Sequence, residues 1–172
     1  MLFSIITVSL NAGSLMKETI DSVLQQTFTD YEIIIKDGGS TDDTLSYVPQ
    51  DSRIRLIQKA DTGIYNAMNQ GIKEARGRYL LFLNCGDKLY NEHVLENVSK
   101  IVECEKNSII YGNRYTKELG VVLYPKKLKK LHFHDSTICH QASFIAREAF
   151  EIVGLYDESN KVYSSMRKME VH

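Results

Sequence analysis

The sequence predicts an α/β fold, a mostly parallel sheet flanked by helices. Short apolar, β-branched runs alternate with segments of helical period, and three of those runs end in polar turns. Residues 3–10 (FSIITVSL) have the apolar, β-branched character of a strand buried on both faces. Asn11-Ala12-Gly13 forms a turn, and Ser14 is placed to N-cap a helix reaching about residue 26. Met16, Ile20, Val23 and Leu24 give that helix its apolar stripe. A second buried strand, residues 31–36 (YEIIIK), stops at Asp37-Gly38-Gly39-Ser40, and 41–44 opens a short helix with acidic groups in its first turn.

Residues 53–58 (RIRLIQ) alternate as a third strand. The clearest helix is 64–76, where Ile64, Ala67, Met68, Gly71, Ile72 and Ala75 recur at helical spacing and Gly77 follows. Residues 78–83 (RYLLFL) form a fourth strand, closing at Asn84-Cys85-Gly86-Asp87, and 91–106 a helix. Further on, 108–115 and 120–124 read as a hairpin, 138–146 as a strand and 147–153 as a short helix. One domain over 1–159 and a divergent or truncated tail over 160–172 are expected from the 172 residues.

Composition removes several classes. With 21 Lys+Arg against 22 Asp+Glu, the net charge of -1 gives no reason to expect a nucleic-acid partner. Cys85, Cys104 and Cys139 form no CxxC pair, so they read as reduced thiols rather than as a zinc site or disulfide framework. His132, His134 and His140 lack the carboxylate or thiol that would complete a zinc site. No apolar run reaches the ~18–20 residues of a membrane span, and the N-terminus lacks the basic region of a signal peptide. The expected location is cytoplasmic. The run Lys126-Lys127-Leu128-Lys129-Lys130 reads first as a solvated face, with contact to an anionic acceptor or to the inner face of a membrane as the alternative.

In parallel sheets ligands bind beyond the carboxyl ends of the strands. That places residues 9–11, 37–40 and 84–87 on one rim. Asp37 can accept from a nucleobase N–H or a ribose hydroxyl, or cap the following turn. Asp87 can hold a hard divalent cation that keeps diphosphate oxygens as its other ligands, or bond its own backbone. Asp61 can cap the helix at 64 or face a nucleotide, and Asn69 can reach the rim or face solvent. The sequence has no GxGxxG, no GxxxxGK[ST] and no GxSxG, which removes the common rivals for an open α/β sheet.

Three segments together resemble family 2 glycosyltransferases of the GT-A fold. They are SIITVSLNAGSLMKETIDSVLQQTFTDYEIIIKDGGSTDDT, DTGIYNAMNQGIKEARGRYLLFLNCGD and ICHQASFIAREAFEIVGLYDES, in that order. The resemblance implies a nucleotide-sugar donor, commonly linked to UDP, and an acceptor hydroxyl on a saccharide or lipid-linked saccharide, in surface polysaccharide assembly. It implies that Thr7, Ser9 and Asn11 line the nucleotide pocket, that Asp37 contacts the base and that Asp61 and Asn69 lie by the nucleotide. Asp87 matches the last aspartate of a DxD-type turn that binds Mn²⁺ or Mg²⁺. His140 and Gln141 match the segment facing sugar and acceptor.

Some positions depart from the pattern. Asn84 and Gly86 stand where aspartates are common, and Met68 where arginine is common; the branch with FLNSGD and IYDAMN shares both changes. After GLYDES the family carries an acidic segment with the catalytic base, whereas here Ser164, Ser165 and Met166 fall near that position and Glu170 is the next carboxylate. The expectation is therefore a truncated chain with no assignable base. Apolar surface left uncovered by such an end would favour a homodimer or a marginal monomer. The alternative function is a non-catalytic, nucleotide-sugar-binding fragment. A sugar-phosphate nucleotidyltransferase is disfavoured because SLNAGSLMKET is a poor substitute for a glycine-rich basic loop.

Overall fold

The structure is a computed structural model in which residues 1–104, 109–124 and 139–159 are described. The lysine run, His132, His134 and the expected tail at 160–172 lie outside the described residues.

Among the described residues, six strands form one sheet in the order β3-β2-β1-β4-β8-β5. These are β1 Phe3–Ser9, β2 Tyr31–Asp37, β3 Ile54–Gln58, β4 Tyr79–Phe82, β5 Ile109–Tyr111 and β8 Ser143–Ala146. β1 pairs in parallel with both β2 and β4, and β2 with β3. β8 is antiparallel to β4 and to β5. All seven residues of β1 and of β2 are buried, as their isoleucine-rich, β-branched centres predict for strands covered on both faces.

Helices α1 (Leu15–Leu24), α2 (Ile64–Glu74), α3 (Val94–Cys104) and α4 (Arg147–Val153) connect and cover the sheet. Two apolar layers result. Phe3, Ile5, Ile33 and Ile35 pack with Met16, Ile20 and Val23 of α1 and with Leu95 and Val102 of α3. On the other face Ile6, Val8 and Ile34 pack with Ala67, Met68 and Ile72 of α2, and Phe150 and Tyr156 close that layer. α2 lies directly on β1: a Cβ added at Gly71 would sit 2.6 Å from Ile6 Cγ2. Among the described residues no helix is long and apolar enough to cross a membrane.

The observed elements differ from the sequence expectation in five places. The segment 108–115 is not one hairpin strand. It breaks at Gly112 and Asn113, so that β5 joins the main sheet while β6 (Arg114–Thr116) pairs with β7 (Gly120–Val122). The break is held by Gly112 N–H donating to the Ala142 carbonyl and by Asn113 Oδ1 accepting from Tyr124 N–H. The strand expected at 138–146 begins as a 3-10 turn, His140–Ala142, and only its second half joins the sheet. Ser14 occupies the N-cap position of α1 in helical backbone and makes no side-chain cap. Finally, Gly63 rather than Asp61 holds the N-cap position of α2. The short helix after Asp37 is a 3-10 turn, Asp43–Tyr47, capped by Asp42 accepting from Thr44 N–H.

Candidate functional site

The strand order reverses beside β1. The crossovers β1 to β2 and β2 to β3 run to one side, and the chain then returns to place β4 on the other. The crevice at such a switch point, beyond the carboxyl ends of the strands, is where open α/β sheets bind ligands. Here it lies between the ends of β1 and β4, where Leu83 N–H still donates to the Ile6 carbonyl at 3.0 Å before the two chains part. The turns after β1, β2 and β4 therefore share one rim.

The turn after β2 is built around Asp37, which is fully buried. Its Oδ2 accepts from Gly39 N–H at 2.9 Å and from Ser40 N–H at 2.8 Å. Its Oδ1 accepts from Ser9 Oγ at 3.0 Å and from Ser40 Oγ. Burial alone raises a carboxyl pKa, but these donors outweigh it and hold Asp37 below the usual carboxylate range. Parallel register sets Ser9 directly beside Asp37. Asn11, in left-handed backbone at φ 50°, completes the knot: its N–H donates to Ser40 Oγ at 2.8 Å and its Oδ1 accepts from Thr41 N–H at 2.9 Å. The structure thus joins Ser9, Asn11 and Asp37, through Ser40, in one network.

A second carboxylate stands against this turn. Asp61 Oδ2 is 2.8 Å from Lys36 Nζ, and its Oδ1 accepts from Gly63 N–H at 3.2 Å. The Lys36 side chain is 0% exposed, whereas that of Asp61 is 14% exposed. Lys36 also donates to the Asp37 carbonyl at 3.1 Å.

The turn after β4 is anchored on α1. Thr19, fully buried, accepts from Gly86 N–H at 2.9 Å and donates to the Asp87 carbonyl at 2.9 Å. Asp87 N–H closes the turn on the Asn84 carbonyl at 2.9 Å. Among the described residues, no hydrogen bond or ion pair engages the half-buried Asp87 carboxylate. Asn84 Oδ1 is buried and has no hydrogen-bond partner among the described residues. Beyond Asn84, His140 Nε2 lies 3.4 Å from Asn84 Nδ2. Burial lowers the His140 pKa, with the Asp87 charge pulling the other way. The 3-10 turn before β8 therefore brings His140 to the Asp87 turn, while Gln141 Oε1 accepts from the Cys139 thiol.

Two expected pocket residues are placed elsewhere. Thr7 lies two positions below the end of β1 and is fully buried, so it does not line the rim; its hydroxyl has no partner among the described residues. Asn69 neither reaches the rim nor faces solvent. It is buried on α2 and spends its amide on the segment after α4: Nδ2 donates to the Tyr156 carbonyl at 2.9 Å and to Glu158 Oε1 at 2.8 Å, and Oδ1 accepts from Tyr156 N–H. Sequence reasoning missed Lys36 and Thr19. The signal for Lys36 was a lysine directly after the Ile33-Ile34-Ile35 run of a strand expected to be buried; a threonine inside an amphipathic helix carries no comparable signal.

A parallel sheet extended by an antiparallel β8, with polar turns gathered at the switch point, defines an α/β fold of GT-A type. The chain belongs to glycosyl transferase family 2, whose model matches residues 4–157. It is 35% identical over 163 residues to a PGL/p-HBAD biosynthesis glycosyltransferase of Mycobacterium tuberculosis, covering 91% of this chain and 63% of that relative. The chain thus spans less than two thirds of that relative's length. Its fold is similar to S. aureus TarS 1-349 in complex with UDP, with a TM-score of 0.74 at 18% identity, covering 95% of this chain and 52% of that one. It is also similar to the mannosyltransferase PcManGT from Pyrobaculum calidifontis in complex with GDP-Man and Mn²⁺, with a TM-score of 0.69 at 17% identity, covering 90% and 47%.

Proposed function

We propose that this chain carries the donor site of an inverting glycosyltransferase that moves a sugar from a UDP-linked donor to an acceptor hydroxyl in surface polysaccharide synthesis. The observation that carries the proposal is the shared rim. The Ser9–Asn11–Asp37 knot and the Asp87 turn flank one crevice at the switch point of the sheet. Family membership supports sugar transfer as the chemistry of that crevice, and the fold's likeness to a UDP-bound and a GDP-Man-bound structure supports a nucleotide there.

Residue roles follow from what each side chain has left to offer. The Asp37 carboxylate is committed to the turn, so its part in nucleotide binding is to fix the loop on which the base rests. Ser9 and Asn11 do the same from β1. Asp61, partly exposed and with a free lone pair on Oδ1, is the carboxylate available to a nucleobase N–H. His140 and Gln141, on the far side of the Asp87 turn, are assigned to the sugar and acceptor.

A divalent cation, Mn²⁺ or Mg²⁺, fits at Asp87 in a limited way. Among the described residues no three His, Cys, Asp or Glu stand together. One carboxylate with free oxygens and the unpartnered Asn84 Oδ1 in the same turn suit a cation that takes its remaining ligands from a diphosphate and water. Such an ion supplies charge neutralisation to the departing nucleoside diphosphate. Thr19 holds the turn in place and His140 walls it on the β8 side. The residue that removes the acceptor proton is not assigned among the described residues. Calorimetric titration with UDP, with and without Mn²⁺, tests the proposal.

A further inference from the structure

Lys36 is the least expected residue beside the donor crevice. It is the penultimate residue of β2, a strand buried along its whole length, and its own side chain is fully buried. An unpaired ammonium is not tolerated in such a place, so its position is set by its partners. These are the Asp61 carboxylate at 2.8 Å and the Asp37 carbonyl at 3.1 Å. One cation therefore ties the turn after β2 to the turn that precedes α2.

The same oxygen of Asp61 is also bounded by Gly38. A Cβ built on Gly38 would fall 2.7 Å from Asp61 Oδ2 and 3.5 Å from its Cγ. Gly38 thus leaves the space that the carboxylate occupies. Lys36 draws Asp61 Oδ2 into the gap, Gly38 keeps the gap open, and Gly63 N–H fixes the second oxygen, Oδ1, from one side only. Oδ1 therefore keeps a lone-pair direction for a ligand, on a carboxylate whose other oxygen is engaged by Lys36.

We propose that Lys36 is a positioning residue of the donor pocket, which with Gly38 fixes Asp61 so that one carboxylate oxygen is presented to the bound nucleotide. This rests on the donor-site reading above and adds what sets its geometry. Lys36 is too buried to touch a ligand, so its effect on binding passes through Asp61. A lysine with a purely structural role would change stability and leave affinity untouched.

The test is calorimetric titration of the full chain with UDP, with thermal unfolding of every variant. Asp61→Asn is expected to weaken UDP binding about tenfold, which corresponds to about 1.4 kcal/mol. Lys36→Met is expected to weaken it by a similar factor, and the double variant no more than either single one, because both changes remove the same contact. Gly38→Ala covers the case in which Lys36→Met does not fold. It should displace Asp61 and cost UDP affinity in the native background, yet cost nothing further when combined with Asp61→Ala. Unchanged affinity in folded Lys36→Met, or a Gly38→Ala loss that persists without the Asp61 side chain, would overturn the inference. Native protein that does not bind UDP would instead overturn the donor-site reading itself.

Discussion

Asn69 grips the backbone of Tyr156 from both sides: its Nδ2 donates to the Tyr156 carbonyl at 2.9 Å, and its Oδ1 accepts from the Tyr156 N–H at 3.0 Å. The same amide reaches Glu158, whose other oxygen is held by Asn66. Around this clasp the Tyr156 ring packs edge-on to Phe82 and Phe150. The central helix thereby fixes where the chain runs after α4.

Replacing Asn69 by Ala strips two buried backbone groups of their partners. Each unsatisfied buried group costs ~1–3 kcal/mol, so Asn69→Ala is expected to lower stability by about 2–4 kcal/mol in urea unfolding. Asn69→Asp should do no better, because it removes the donor and sets a carboxylate against Glu158. A change below about 0.5 kcal/mol, the usual range for an exposed site, would show that the clasp does not hold this segment.

Asp37 makes a prediction about pH. Its folded pKa lies below the ordinary value because donors from Ser40, Gly39 and Ser9 outweigh burial. A depressed carboxyl pKa contributes stability that is complete above the unfolded value, about 3.9, and is lost as pH falls through the folded value. Asp37→Asn should therefore be less stable than the native chain by about 1–3 kcal/mol at pH 7. The two should converge as the pH is taken below about 4. Equal stability at pH 7 would contradict the engaged carboxylate.

Gly71 gives a packing test. Its missing Cβ lets α2 lie on Ile6, and an added methyl group would come within 2.6 Å of Ile6 Cγ2. Overpacking costs ~1–3 kcal/mol, and the better helix propensity of alanine returns up to ~1. Gly71→Ala should be destabilising by about 1–2 kcal/mol on balance, and Gly71→Ala with Ile6→Val should recover part of it. A stabilised Gly71→Ala would mean that the helix stands further from β1.

Cys85 belongs to the turn after β4 and is half-buried, with its thiol facing the Val8 carbonyl. Burial, with a further contribution from the Asp37 and Asp87 charges, pushes its thiol up to about 11. Only the thiolate reacts, so at pH 8 the native protein should alkylate at Cys85 about a hundredfold more slowly than a free thiol, by mass spectrometry of iodoacetamide adducts. Unfolding in urea should restore the ordinary rate. Fast labelling of the native form would contradict the buried thiol.

The sheet was legible because its strands are short, apolar and β-branched, and because turn residues punctuate them; β1, β2 and β4 match their expected spans within a residue or two. The rim followed from topology alone. The split at Gly112 and Asn113 was not legible, because it is set by partners at Ala142 and Tyr124 that local pattern does not contain. Side-chain roles were less legible than positions. Asp37 was expected to meet the base, and in the structure its oxygens face its own turn. Asn69 was read as rim or solvent because a lone polar residue on a helix does not reveal a partner 87 residues away.

The central claim is that the crevice between the β1 and β4 turns binds a nucleoside diphosphate with a cation at Asp87. Titration of the purified chain with UDP, with and without Mn²⁺, tests it most directly. Binding is expected to strengthen with Mn²⁺, with that metal-dependent part lost in folded Asp87→Ala. UDP binding that ignores Mn²⁺ and the Asp87 substitution, or no binding under either condition, would contradict it.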